Sequence, residues 1–329
     1  MQELKSSTRE LFQFYDCDEM RDYFRKKDKS LKSKLTTVQE AVKDLISDGE
    51  YIAIGGFGGV RIPTAVLHEI VRQRKKNLGL SGHTATHDFQ ILVAGECINR
   101  CDIAYIIGLE ARGLSSNARK AVESGKIKVV EWTNAALAWR YKAAAMGVPF
   151  LPARNMMGTD VFKYSAAKEI ECPFTGKKLV AYPALHPDVG IIHVHRADIY
   201  GNCQIDGIQI ADYEMARAAK KLIITTEQIV PTEQIRNDPT RTIIPYYLVD
   251  AVIEVPFGSY PGNMPYLYYS DEEHLKEWLE AEKEPQRFKE FLNKNIYNVK
   301  DFYEYIEVNG GLKKLHKLMQ IEKLINQGR

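Results

Sequence analysis

Positive charge is not in surplus: 45 lysines and arginines face 43 aspartates and glutamates in 329 residues, a net of +2. Without a basic excess the chain has no electrostatic footprint for nucleic acid. The one dense run, Arg72-Gln73-Arg74-Lys75-Lys76, falls at a predicted helix end, where cations suit the dipole. Cysteine is also scarce. The five, Cys17, Cys97, Cys101, Cys172 and Cys203, are odd in number and include no Cys-x-x-Cys pair, which excludes a zinc ribbon and suits a reducing cytoplasm. No apolar run approaches the roughly 18 residues of a membrane span. The opening MQELKSSTRELFQFYDCDEM is too charged for a signal peptide, so a cytoplasmic protein is expected. No internal period points to a solenoid.

What is present is an alternation of short apolar runs with helical patterns. A helix is predicted from Val38, with Thr36 or Thr37 as cap, Gln39 or Glu40 reaching back, and Val38, Ala41, Val42, Leu45 and Ile46 as its buried stripe. Gly49 suits its left-handed exit. Strands are predicted at Tyr51–Ile54 and in LGLSG (78–82), IAYII (103–107), IKVVE (127–131), KLVAY (178–182), VGIIHVH (189–195), KLIITT (221–226) and AVIEV (251–255). Helices are predicted over 64–76, 114–124, 134–146 and 210–220. The pattern is that of an α/β fold, an open, mostly parallel sheet with helices on both faces. Residues 1–35 read as a helical extension, 36–295 as the main domain and 296–329 as a C-terminal helical segment.

The stretch YIAIGGFGGVRIP (51–63) carries the chemistry. A strand ends in Gly55, Gly56, Phe57, Gly58 and Gly59, and Pro63 fits the first turn of the helix that follows. Glycines let backbone amides approach a ligand, and a helix N-terminus favours negative charge, so a phosphate or an oxyanion is expected there. A dinucleotide fingerprint is absent because Arg61 stands where the third glycine belongs, and no Gly-Lys-Ser/Thr marks a P-loop. Arg61 is expected to grip a substrate carboxylate.

The histidines offer a rival reading. His83, His87 and Asp88 lie close in sequence, and His193 and His195 alternate on one strand face with His186 upstream. Satisfied sheet or core histidines account for them better than ligands do, and no metal is expected. Ser81, His83 and Thr84 follow the neighbouring strand and are expected to line the substrate crevice. A Ser-His-Asp triad lacks its Gly-x-Ser-x-Gly elbow. The tyrosines of PFGSYPGNMPYLYYS (256–270) are expected at a loop or a subunit interface.

DGEYIAIGGFGGVRIP resembles the signature of the α-type subunit of family I coenzyme A transferases, with Asp48, Gly49, Ile52, Ala53, Ile54, Gly55, Gly56, Phe57 and Pro63 matching. Arg61 replaces the signature's glycine, as in the glutaconate branch, and the resemblance runs from about Leu35 to about Leu275 through NLGLSGHTATHDFQILVAG, PDVGIIHVHRADIYGN and VDAVIEVPFGSYP. It implies ping-pong transfer of coenzyme A from an acyl-CoA, such as a short dicarboxylic one, to a carboxylate such as acetate. CoA thioesters would be substrates, with no permanently bound cofactor. The nucleophilic glutamate of the family lies in a Ser-Glu-Asn-Gly motif on the β-type subunit. This chain lacks that motif, so the resemblance implies a β-type partner in an α2β2 or larger heteromer. Gly55, Gly56, Phe57 and Gly58 would then stabilise the oxyanion. The alternatives are a subunit of a related decarboxylase or ring-opening hydrolase, where Glu110 is the local candidate, or a non-catalytic acyl-CoA binding subunit.

Overall fold

A computed structural model describes residues 3–106, 108 and 112–327. Seven parallel strands form its centre: β2 (Tyr51–Ile54), β3 (Leu78–Gly82), β4 (Ile98–Ile103), β5 (Lys128–Glu131), β9 (Val189–Ala197), β11 (Lys221–Ile229) and β13 (Ala251–Glu254). Their order across the sheet is β5-β4-β3-β2-β9-β11-β13. The chain thus winds outward from β2 in one direction, returns to β9 on its other side and winds outward again. The loops leaving β2 and β9 therefore diverge, which makes their carboxyl ends the switch point where open α/β sheets place a ligand crevice. β10 (Cys203–Gln204) and β12 (Thr242–Ile244) extend the end of β9 antiparallel.

Both faces of the sheet are covered, which is why the strands read as continuous apolar runs. Ile52, Ile54, Leu80, Ile191 and Ile223 point into one core with α2 (Val38–Leu45), α3 (Thr64–Arg72), α4 (His87–Ala94) and α5 (Ser116–Glu123). Tyr51, Ala53, Ile192, Val194 and Ile224 point into the other with α6 (Asn134–Met146) and α8 (Asp212–Ala218). Two single-turn helices, α7 (Asp160–Tyr164) and α9 (Thr232–Arg236), lie in the connections. Thr37 caps α2 in a complete capping box with Glu40. The helix expected over 134–146 has those bounds, and those expected over 64–76, 114–124 and 210–220 are there, trimmed at their ends.

Several expectations need correction. The strand placed at 103–107 lies at Ile98–Ile103 instead. A polar stretch can occupy that buried position because Asp102 accepts from Trp132 Nε1 (2.6 Å), Arg140 Nη1 (2.7 Å) and the Tyr51 hydroxyl. KLVAY belongs to a second, antiparallel sheet of β1 (Glu3–Ser6), β7 (Lys168–Glu171), β8 (Lys178–Pro183) and β6 (Phe150–Ala153). Residues 1–35 are accordingly not wholly helical. Besides β1 they supply α1 (Cys17–Lys26) and a strap, in which Lys27 Nζ meets Asp250 Oδ2 (2.6 Å) and Tyr15 Oη donates to Asp188 (2.7 Å). Lys34–Thr36 pairs with Val252 and covers the β13 edge. The C-terminal helices α10 (Glu272–Ala281), α11 (Pro285–Leu292), α12 (Phe302–Val308) and α13 (Gly311–Gln327) bury Trp278, Phe291, Tyr305 and Leu318 in the first core. Tyr260 and Tyr268 are core residues too, whereas Tyr266 is exposed.

Six of the eight histidines, His68, His83, His87, His186, His195 and His274, are held below the usual imidazole range by burial, His87 and His195 down to about 4 and His274 to about 3. The unfolded chain therefore binds more protons below about pH 6.5, and stability falls as pH drops through that value. Asp88, pushed up to about 7 by burial, opposes this but is outnumbered. Thermal unfolding should show a melting temperature lower by at least about 4 °C at pH 5.5 than at pH 7.5; an unchanged value would mean that these rings do not stay neutral.

Candidate functional site

The glycine loop stands at the crevice between β2 and β9. Gly55 has no room for a side chain, since a Cβ there would lie 2.6 Å from Asp212 Oδ1 and 2.9 Å from Ile192. Gly56 has φ +85°, and a Cβ would come 2.3 Å from Val60 O. Phe57 and Val60 exchange backbone bonds of 3.0 and 2.9 Å, so the loop folds back on itself. Asp212, at the first turn of α8, ties the two ends together. Its Oδ1 accepts from the Gly56 amide at 2.9 Å, and its Oδ2 accepts from Arg61 Nη2 at 2.5 Å.

The structure places Arg61 differently from expectation. Its side chain is fully buried beneath the loop, paired with Asp212 and donating to Ile208 O (2.7 Å) and His193 O (3.3 Å). The charge is spent on Asp212, so the guanidinium holds the loop rather than reaching toward a substrate. The amides differ likewise. Those of Gly55, Gly56, Phe57 and Gly58 donate to Ile191 O, Asp212, Val60 O and Thr84 O, because the loop closes on its own framework. The amide end of α3 is also occupied: Pro63 is its cap, just outside the first turn, and Ala65 N donates to Gly258 O.

The loop after β3 docks on the glycine loop. Gly58 N donates to Thr84 O (2.8 Å) and Thr86 Oγ1 to Gly58 O (2.8 Å), and the Phe57 and His83 rings lie 6.1 Å apart. His83 Nε2 sits 3.1 Å from the carbonyl of Asn134, which can only accept, so that nitrogen carries the proton. Burial keeps the ring neutral, leaving an unpartnered lone pair on Nδ1. Thr84 donates to Asn134 Oδ1 at 3.1 Å. Ser81 does not join them: it points into the second core and bonds the Tyr141 hydroxyl. Glu110 lies outside the described residues. His193 and His195 are satisfied within the fold, the first by Thr225 and Glu227, the second by Pro265 O and the Asp206 amide.

Sequence reasoning missed Asp212, Asn134, Glu227 and Arg112. Arg112 would touch a Gly59 Cβ at 3.1 Å and pairs with Glu272. Arg61, Thr84, Ile210, Phe257 and Tyr266, five of the nine non-glycine residues at positive φ among those described, surround this crevice. Such backbone is costly, above all for β-branched Thr84 and Ile210, and persists only where neighbours enforce it. Ile208, Ile210, Tyr213, Tyr266 and Leu267 leave large apolar side chains exposed beside it.

An open doubly wound sheet with a hydrogen-bonded glycine loop at its switch point and an exposed apolar rim beside it defines the chain as a doubly wound α/β protein. The Coenzyme A transferase family profile matches residues 35–255, and the chain belongs to that family. It is 54% identical over 311 residues to an uncharacterized Archaeoglobus fulgidus protein, covering 94% of this chain and 70% of that one. It is 34% identical to the A subunit of 3-oxoadipate CoA-transferase from Pseudomonas knackmussii, covering 83% and 97% of the two chains. For the A subunit of glutaconate CoA-transferase from Acidaminococcus fermentans the values are 32%, 84% and 92%. The crystal structure of that glutaconate CoA-transferase superposes with a TM-score of 0.82 at 31% identity, over 87% of this chain and 95% of that one. The structure of a variant of the decarboxylase AibA/AibB superposes at 0.71 and 30% identity, over 80% and 98%.

Replacing Asp212 by Asn keeps the shape but leaves Arg61 buried without a counter-charge, which should cost about 3–5 kcal/mol. In an Arg61→Met background the same change should cost much less, a difference that urea unfolding of the four proteins measures. Equal costs in both backgrounds would mean that the ion pair does not hold the loop.

Proposed function

We propose that this chain is the α-type subunit of a heteromeric CoA-transferase, acting on acyl-CoA thioesters of short dicarboxylic or related acids with a carboxylate such as acetate as exchange partner. The observation that carries the reading is a half-built site. The crevice has a fixed glycine loop, strained walls and an apolar rim, yet the chain has no Ser-Glu-Asn-Gly segment to supply a nucleophile. Relatives named as the A subunits of glutaconate and 3-oxoadipate CoA-transferases support it. A β-type partner would seat on the rim of Ile208, Ile210, Tyr213, Tyr266 and Leu267 and bring its glutamate against the loop.

In that assembly the ping-pong route needs a carboxylate nucleophile and a surface that excludes water around the acyl group. This chain supplies the second. Phe57 and Val60, half-exposed at the crest, form an apolar wall. His83 and Thr84 back that wall, and the His83 Nδ1 lone pair, buried in the free chain, would accept a substrate hydrogen only once assembly uncovers it. Arg61 acts from below by fixing the loop, so its effect on dicarboxyl substrates is indirect. With the amides of Gly55, Gly56, Phe57 and Gly58 engaged, an oxyanion donor would come from Gly59, from the partner or from a loop amide released on assembly.

Co-expression with the β-type partner, followed by assay of an acyl-CoA with acetate, should give parallel double-reciprocal lines. Hydroxylamine should inactivate the complex in the presence of acyl-CoA by trapping the partner's glutamyl thioester. Carbon dioxide release without an acceptor acid would replace this reading with the decarboxylase one. Gly56→Val, which drives a side chain into Val60 O, should lower kcat at least about a hundredfold while the complex still assembles. Retained turnover would reduce the loop to a turn.

A further inference from the structure

We infer that Glu227 is a positioning residue for the glycine loop, acting through the segment 257–268; the inference rests on the proposed site but is tested independently of it. Glu227 lies on β11 with its side chain 8% exposed, and its two oxygens gather three donors. Oε1 accepts from the Tyr268 hydroxyl at 2.6 Å and faces His193 Nε2 at 2.8 Å, while Oε2 accepts from the Phe257 amide at 2.7 Å. His193 is fixed in turn by Thr225 Oγ1 at 2.8 Å. One carboxylate thus fastens both ends of a loop to the floor of the sheet. The segment is under tension, since Phe257 and Tyr266 hold φ +61° and +68°.

The same segment also packs against the glycine loop, at Gly59 and Arg61. Asn263 N donates to Gly59 O (2.8 Å), and Arg61 N donates to Asn263 O (2.9 Å). A Cβ on Gly262 would lie 2.4 Å from Gly59 O, so the two backbones are in direct contact. Gly258 O accepts the amide of Ala65 at the start of α3, and a Cβ on Gly258 would strike His193 Cε1 at 2.8 Å. Ser259 N donates to the Tyr268 hydroxyl (3.1 Å) and Ser259 Oγ to Asn263 O (3.3 Å), so displacement at Glu227 passes through hydrogen bonds to Asn263 and from it to Gly59 and Arg61. Tyr266 and Leu267, on the exposed rim, belong to the same segment. Glu227 therefore couples that rim to the loop.

The test uses the full chain with its β-type partner and the variants Glu227→Gln and Glu227→Asp. Gln offers one carbonyl acceptor in place of two carboxylate oxygens and cannot serve all three donors. In Glu227→Gln, hydrogen exchange of the Phe257, Asn263 and Arg61 amides should quicken at least about tenfold while exchange in β3 and β4 is unchanged. In the same variant kcat should fall at least about tenfold with KM for acyl-CoA changed less than about threefold. Glu227→Asp should recover part of both. The inference is overturned if Phe257 and Asn263 loosen while Arg61 does not, or if exchange rises uniformly across the chain. The exchange measurement decides it even for a complex that transfers no coenzyme A, so the two readings fail separately.

Discussion

Everything at the crevice depends on one buried carboxylate. Asp212 receives the Gly56 amide with one oxygen and the Arg61 guanidinium with the other. The chain between Gly56 and Arg61 is thereby closed into a ring that the rest of the fold can treat as a rigid body. Such a pair contributes little net stability, because desolvating two charges offsets most of their attraction. Its value is conformational. A loop of glycines has more accessible shapes than any other, and ordering it costs backbone entropy. Bonds to a charged acceptor that cannot find a replacement in the apolar interior select one shape among them.

The position of that ring follows from the winding of the sheet. β2 and β9 are neighbours whose connections leave in opposite directions, so neither connection covers the space above their carboxyl ends. Three segments then converge on it: the loop after β3, the stretch from Gly207 to Asp212 and the segment 257–268. Their contacts with the glycine loop explain why positive φ angles gather there. Each segment is held at both ends by hydrogen bonds, and the strain sits where those anchors disagree with the preferred backbone.

Much of this is legible in the residues. Thr37 and Glu40 announce their capping box, and strand–helix alternation announces a parallel sheet covered on both faces. IAIGGFGG announces a strand running into a tight loop. The errors have a common cause. Local pattern favours the apolar run from Ile103 over Arg100 and Asp102 as strand, because burial of Asp102 is made tolerable only by Tyr51, Trp132 and Arg140, which lie 30 or more residues away. KLVAY has the composition of any apolar strand, and nothing local says which sheet it joins or in which direction.

Arg61 is the instructive residue. Local sequence determined that an arginine stands beside a glycine loop, and that such a loop has unusual backbone freedom. Only the tertiary structure decided where the guanidinium goes, because Asp212 is 151 residues distant and reaches it through the packing of α8 against α6 and β9. Propensity, periodicity and turn chemistry act over a few residues and are written in order along the chain. The partner of a buried charge is chosen by which elements the fold brings together, and that choice has no local signature.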